Sequence, residues 1–418
     1  MSHFWHPFAD MAAVRDGELV LRSANGVWVE DVDGRRYLDA TGGLWYCSVG
    51  YGRRAIAAAV ADQLERFAAY SAFGPFVTDV TLRAADRLAA LAPIEDAVVF
   101  FTSGGSDAVE TVSKLARRYW DACGHPERRV IVARERAYHG MHAYGTALAG
   151  IPANQAGYGG ALIEEVVVVP TNDPETLGAL FQSRGHEIAA FIGEPVIGAG
   201  GVIPPEPYYW PEVSRLCREY DILLIADEVI SGFGRLGEMW GTTRYGITPD
   251  LVTFAKGVTS GYVPLGGVLV GKRVREPFWD RGPGGPVFRH GYTYSGHAAA
   301  CAAALANLDI LETEGLVARV KSLEPKLAAL GLELAAVPGV GQVRTVGLTA
   351  AVELAPEVLA ATPTAADAVA KAARAHGILT RSLTGGAIQV SPAFVITESE
   401  LEQLADGIRA AIRDTVEV

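Results

Sequence analysis

Seven short apolar runs restrict most what this chain can become: residues 97–101, 129–133, 165–169, 188–192, 222–226, 251–254 and 267–270. Each has the length of a strand, and their aliphatic content suits strands covered on both faces. Most lie far enough apart for helical crossovers. The seventh follows the sixth so closely that a short antiparallel return fits better. The pattern predicts an α/β fold on a seven-stranded, mostly parallel, doubly wound sheet. Ligands of such sheets bind beyond the carboxyl ends of the strands, so the residues just after these runs are the first candidates for chemistry.

The flanks read differently. Two alternating runs around Asp33-Gly34 signal a hairpin. The C-terminal part offers short strands near 341–346, 349–354, 378–381 and 387–390, a helix near 365–376 and a terminal helix. Packing the hairpin on this unit gives a large domain of residues 46–299 and a small discontinuous α+β domain of 1–45 and 300–418. With 418 residues and a net charge of −12, nucleic acid and anionic membrane surfaces are poor partners. No run reaches transmembrane length and residues 1–10 (MSHFWHPFAD) lack signal-peptide features, so a cytoplasmic protein is expected. The four cysteines are scattered, and no Cys/His cluster suggests a metal.

Two of the apolar runs stop at single charges, Asp227 and Lys256. Only six of the 36 basic residues are lysines, and Lys256 alone follows a buried-type run and precedes a glycine. Desolvation there lowers an ammonium pKa and makes a candidate Schiff-base amine; a strand-end lysine snorkelling to solvent is the alternative. The turn after the first strand, TSGGSD, opens a helix and includes Gly105 and Ser106. Its glycine backbone, hydroxyls and helix dipole make a phosphate cradle, or simply a capped turn. Tyr138 and His139 follow the second strand, and Glu194 ends the fourth. An anion cradle, a stacking ring, an acid for a ring nitrogen and an imine-forming amine on one sheet edge are together what pyridoxal phosphate requires.

These motifs, ADEVISGFGR, FAKG, SGGSDAVET, YHG, GEPV and HGYTYSGH, stand in an order that resembles the class III (ω-) aminotransferases, fold-type-I pyridoxal phosphate enzymes. The resemblance runs from about His6 to the C-terminus. It implies that Lys256 is the Schiff-base lysine and Asp227 the partner of the pyridine nitrogen. Val229 and Tyr138 would cover the two ring faces, and Gly105 and Ser106 would bind the phosphate. Glu194 would orient groups near the cofactor, with His139 beside it. Thr293 would reach the phosphate of the neighbouring subunit, which implies a homodimer.

Substrate contacts are expected from Trp45, Phe73, Tyr138, Ala199, Tyr292 and Arg381. Glutamate-using relatives usually carry a second glutamate five positions after the GEP acid, where this chain has Ala199. Trp45 in GLWY and Arg381 before a glycine-containing loop instead resemble ω-amino acid and amine:pyruvate transaminases. An arginine that clamps a carboxylate and swings away for an apolar amine is implied there; a surface strand-end arginine is the plain alternative. The expected reaction moves an amino group from a primary amine or ω-amino acid to a small keto acid, pyruvate first, in ping-pong half-reactions. Rival readings are a glutamate/2-oxoglutarate transaminase, a decarboxylase-transaminase or aminomutase on the same fold, and a catalytically silent cofactor-binding module.

Overall fold

The computed structural model describes residues 3–14 and 17–416. Near the N-terminus, β1 (Leu21–Asn25), β2 (Trp28–Asp31) and β3 (Arg36–Asp39) form an antiparallel meander. The β2–β3 turn contains Asp33-Gly34 and is fastened by Asp31, whose Oδ1 accepts from the N–H groups of Asp33 and Arg35 at 3.0 and 2.9 Å. β1 was not legible in the sequence.

The large sheet contains β4 (Val98–Thr102), β5 (Val130–Arg134), β6 (Val166–Val169), β7 (Ile188–Gly193), β8 (Leu223–Asp227), β9 (Leu251–Phe254) and β10 (Gly266–Val270). Its spatial order is β4-β10-β9-β8-β7-β5-β6, with β10 antiparallel to both neighbours and the other pairs parallel. The strands agree with the seven predicted runs to within a residue or two. The five inner strands are buried throughout and the edge strands β4 and β6 only in part, which is why the runs read as continuous aliphatic stretches rather than alternations. This is the pyridoxal phosphate transferase fold of type I.

β11 (Val340–Val346), β12 (Thr349–Leu354), β13 (Ile378–Leu379), β14 (Ser382–Leu383) and β15 (Ala387–Val390) complete the strands. β11, β12, β15 and β14 make an antiparallel sheet, while β13 pairs in parallel with β3. The strand expected over 378–381 therefore ends at Leu379, and a separate one starts at Ser382, because the chain changes sheet at Thr380-Arg381. The N-terminal meander thus takes its fourth strand from the C-terminal part. Arg235, buried after β8, ties the large sheet to this region by donating to Leu348 O at 3.1 Å and Pro392 O at 2.6 Å. The terminal helix Glu398–Thr415 opens on a capping box of Thr397 and Glu400.

Candidate active site

The parallel strands β4, β5, β7, β8 and β9 end on one edge of the sheet, and the chemistry-bearing residues follow those ends. After β4 the chain turns at Gly104 into the helix Gly105–Ala122. Ala108 N–H is the first to bond within that helix, to Gly104 O, which leaves the N–H groups of Gly105, Ser106 and Asp107 facing outward. Asp107 reaches back to accept from Ser103 N–H at 3.1 Å and so sets the turn. Ser106 Oγ accepts from Met141 N–H at 3.1 Å and joins the cradle to the turn that carries Tyr138 and His139. That approach needs a glycine: a Cβ on Gly140, whose φ is +89°, would lie 2.5 Å from Ser106 Oγ.

Asp227 is buried at the end of β8. Its Oδ1 accepts from Thr253 Oγ1 at 2.9 Å and from Val229 N–H at 3.1 Å, and its Oδ2 lies 2.6 Å from His139 Nδ1. Burial alone would raise this carboxyl, but His139's hydrogen bond and charge, the Val229 N–H and the Thr253 hydroxyl outweigh it and hold the pKa below the usual range. Three contacts leave a carboxylate room for one more donor. Glu194 behaves oppositely: burial, with the nearby Asp227 charge, raises it although it accepts from Tyr138 N–H at 3.1 Å and Gly198 N–H at 2.9 Å.

Lys256 follows β9 with its backbone in the left-handed region, φ 45°, a conformation that costs a non-glycine residue free energy. Asn307, fully buried in the alanine-rich helix Ala298–Thr313, keeps it there. Asn307 Nδ2 donates to Gly257 O at 2.9 Å and Val258 O at 3.0 Å, and its Oδ1 accepts from Ser260 Oγ at 2.6 Å. Burial lowers the Lys256 ammonium to about 8, with Asp227 and Glu194 opposing the shift.

Gly105, Ser106, Tyr138, His139, Glu194, Asp227, Val229 and Lys256 line one cavity of about 170 Å³. An adjoining cavity of about 350 Å³ is lined by Trp45, Tyr138, Ala199, Lys256 and Arg381 among others. Trp45 is both a buried plug and a pocket wall, with Lys256 Nζ 5.7 Å and Arg381 Cζ 4.6 Å from its ring. Arg381 makes no ion pair among the described residues; burial brings its guanidinium down to about 10, still charged at neutral pH. The remaining three expected contacts lie outside both cavities. Tyr292 Oη donates to Asp107 O at 3.1 Å, Thr293 is exposed, and Phe73 lies in an exposed apolar depression beside Gly291. Asn307, Thr253, Leu44 and Ile230 were not anticipated; nothing in their local sequence separates them from ordinary core residues.

A helix start with free N–H groups, a buried acid with an open acceptor site and a strained lysine of lowered pKa suit a phosphorylated pyridine aldehyde. That set of groups on this fold defines a pyridoxal phosphate-dependent transaminase. The chain belongs to the aminotransferase class-III family, whose model it matches over residues 11–412. It is 36% identical to a putrescine–pyruvate aminotransferase of Pseudomonas aeruginosa over 99% of this chain and 94% of that one. A thermostable (S)-enantioselective omega-transaminase from Thermomicrobium roseum superposes with TM-score 0.93 at 39% identity, covering 99% of this chain and 97% of the other. The PLP-bound amine transaminase of an uncultivated Pseudomonas species gives TM-score 0.92 at 36% identity, with 99% of each chain covered.

Proposed function

We propose that this aminotransferase moves an amino group from a primary amine or ω-amino acid to pyruvate or a similarly small keto acid. The observation that carries the reading is Arg381: a charged, part-buried guanidinium without a carboxylate partner among the described residues, facing the cavity that Lys256 and Ala199 also line. Its planar fork suits a substrate carboxylate, and Ala199 supplies no glutamate to neutralise it in a resting state. The likeness to a putrescine–pyruvate aminotransferase agrees with this choice of acceptor.

In this reading the helix N–H groups of Gly105 and Ser106 hold the cofactor phosphate. Val229 and Tyr138 cover the ring faces, and Asp227, oriented by His139 and Thr253, keeps the ring nitrogen protonated. Glu194 fixes the Tyr138 turn rather than moving protons. Pyridoxal phosphate, when bound, supplies the electron sink for the substrate Cα. Lys256 is the Schiff-base lysine that holds the cofactor and then carries the proton at that carbon, a role its lowered pKa favours. Trp45 and Tyr138 exclude water above the amine.

We further read the active form as a cytoplasmic homodimer, with Thr293, Tyr292 and Phe73 serving the partner's site; no helix among the described residues is long and apolar enough to cross a membrane. The division into residues 46–299 and a small unit of 1–45 with 300–418 is supported by the pairing of β3 with β13.

Purified protein mixed with pyridoxal phosphate is expected to give the visible absorbance of the lysine-bound cofactor, absent in Lys256→Ala. A band surviving that change contradicts the lysine assignment. Arg381→Ala should raise the pyruvate KM ~10–100-fold, the worth of one or two charge-assisted hydrogen bonds, and leave the KM of an apolar amine within about 2-fold.

A further inference from the structure

Arg381 does not stand alone. Gln389, fully buried on β15, places its Oε1 2.6 Å from Arg381 Nε. Its amide nitrogen donates to Ser391 Oγ at 2.5 Å and faces Thr41 O at 3.5 Å, while Ser391 Oγ also donates to Thr41 O at 3.1 Å. The chemistry of the neighbours fixes which way the amide points. A guanidinium only donates, so it demands the oxygen; a backbone carbonyl only accepts, so it demands the nitrogen. The main chain adds to the hold, since Gln389 N–H donates to Arg381 O at 3.0 Å and Thr380 Oγ1 donates to Gln389 O at 2.6 Å. Thr41 belongs to the turn that leads into Trp45, whose ring centroid lies 4.6 Å from Arg381 Cζ.

We propose that Gln389 is a positioning residue for keto-acid specificity: it occupies Nε of Arg381, aims Nη1 and Nη2 into the cavity, and leaves only an end-on, two-pronged approach for a substrate carboxylate. This rests on the reading of Arg381 as the carboxylate clamp. Among the described residues the one hydrogen bond from the Arg381 guanidinium is that of Nε, so the prongs are free to bind. Because a glutamine accepts without carrying charge, it holds the arginine inward without neutralising it, where a glutamate at this position would pair with the guanidinium and compete with the substrate. An apolar amine makes no use of the prongs, so Gln389 acts on one of the two half-reactions.

The test compares Gln389→Met and Gln389→Glu with the wild type and Arg381→Ala, all as cofactor-loaded enzymes. Each half-reaction is followed separately by the cofactor's absorbance, with pyruvate in one and an apolar primary amine in the other. Gln389→Met is expected to raise the apparent pyruvate constant roughly 10-fold, the value of one hydrogen bond to a charged group. Gln389→Glu should raise it further, with the amine half-reaction of both variants kept within about 2-fold. If Arg381→Ala weakens pyruvate and neither Gln389 variant does, the clamp stands and the positioning role falls. If both half-reactions drop together in both variants, Gln389 is merely structural and the proposal is overturned. If Arg381→Ala itself spares pyruvate, the clamp reading fails first.

Discussion

At the residue scale the site turns on Lys256 and the groups that set its protonation. Burial lowers its ammonium to about 8 from an ordinary 10.5, against the opposing pull of Asp227 and Glu194. Only the neutral amine can attack a carbonyl. The rate at which apoprotein captures pyridoxal phosphate is therefore expected to rise with pH through a midpoint near 8; a midpoint near 10.5, followed by stopped-flow absorbance, contradicts the burial assigned to this lysine. The sign for stability is the same. Between about 8 and 10.5 the unfolded chain holds a proton at this lysine that the folded chain has lost, so this group makes apoprotein stability increase with pH in that window. Asp227 has the same sign in a lower range, since its folded pKa is lowered too: its contribution is fully present above the normal carboxylate range and is lost as pH falls through the folded value.

Asp227 and Lys256 were legible in the sequence because each interrupts a run that burial on both faces makes uniformly apolar. Gln389 and Asn307 were not. Each is a single amide in a strand or helix whose partners lie far away along the chain, Thr41 for one and Gly257 for the other. Local pattern reports which face of an element is apolar, but it does not report which distant carbonyl awaits a donor.

At the scale of elements, the large sheet followed from its aliphatic runs, and the antiparallel β10 from the short connection before it. The order of the strands was not readable, because parallel pairing is decided by crossovers rather than by the strands themselves. The break between β13 and β14 is not marked in the sequence, because Ile378-Leu379 and Ser382-Leu383 join different sheets although only two residues separate them. That split matters, since it places Arg381 where the chain changes partners. The element that holds Lys256 is the helix Ala298–Thr313, and it does so through one side chain. Asn307→Ala removes two donors from the carbonyls of Gly257 and Val258. It is expected to cost about 3 kcal/mol of unfolding free energy and to loosen cofactor retention. Unchanged melting and unchanged cofactor release on dialysis contradict that role. On the terminal helix, Thr397→Ala should cost about 1 kcal/mol by loss of its cap, with no effect on either half-reaction.

At the scale of the whole molecule, an exposed apolar strip faces away from the core. Phe67, Tyr70, Phe73 and Phe76 are each close to half exposed, and Tyr70 packs edge-on to Phe76 at 5.5 Å between ring centroids. The proposed homodimer would cover a strip of this kind. With Thr293 exposed and away from its own subunit's cavity, a second copy of the chain is the expected occupant. Phe76→Glu is predicted to shift the protein from dimer to monomer in sedimentation and to weaken cofactor binding with it; a variant that stays dimeric with full cofactor contradicts this placement.

The proposed choice of a small keto acid rests on Arg381, which lines with Ala199 a cavity that offers no glutamate to neutralise it. The most direct measurement is the second half-reaction of the aminated enzyme against a panel of keto acids. Pyruvate is predicted to exceed 2-oxoglutarate in kcat/KM by at least roughly ten-fold, a difference of about 1.4 kcal/mol in transition-state binding. A panel in which 2-oxoglutarate clearly outperforms pyruvate would contradict that role of Arg381.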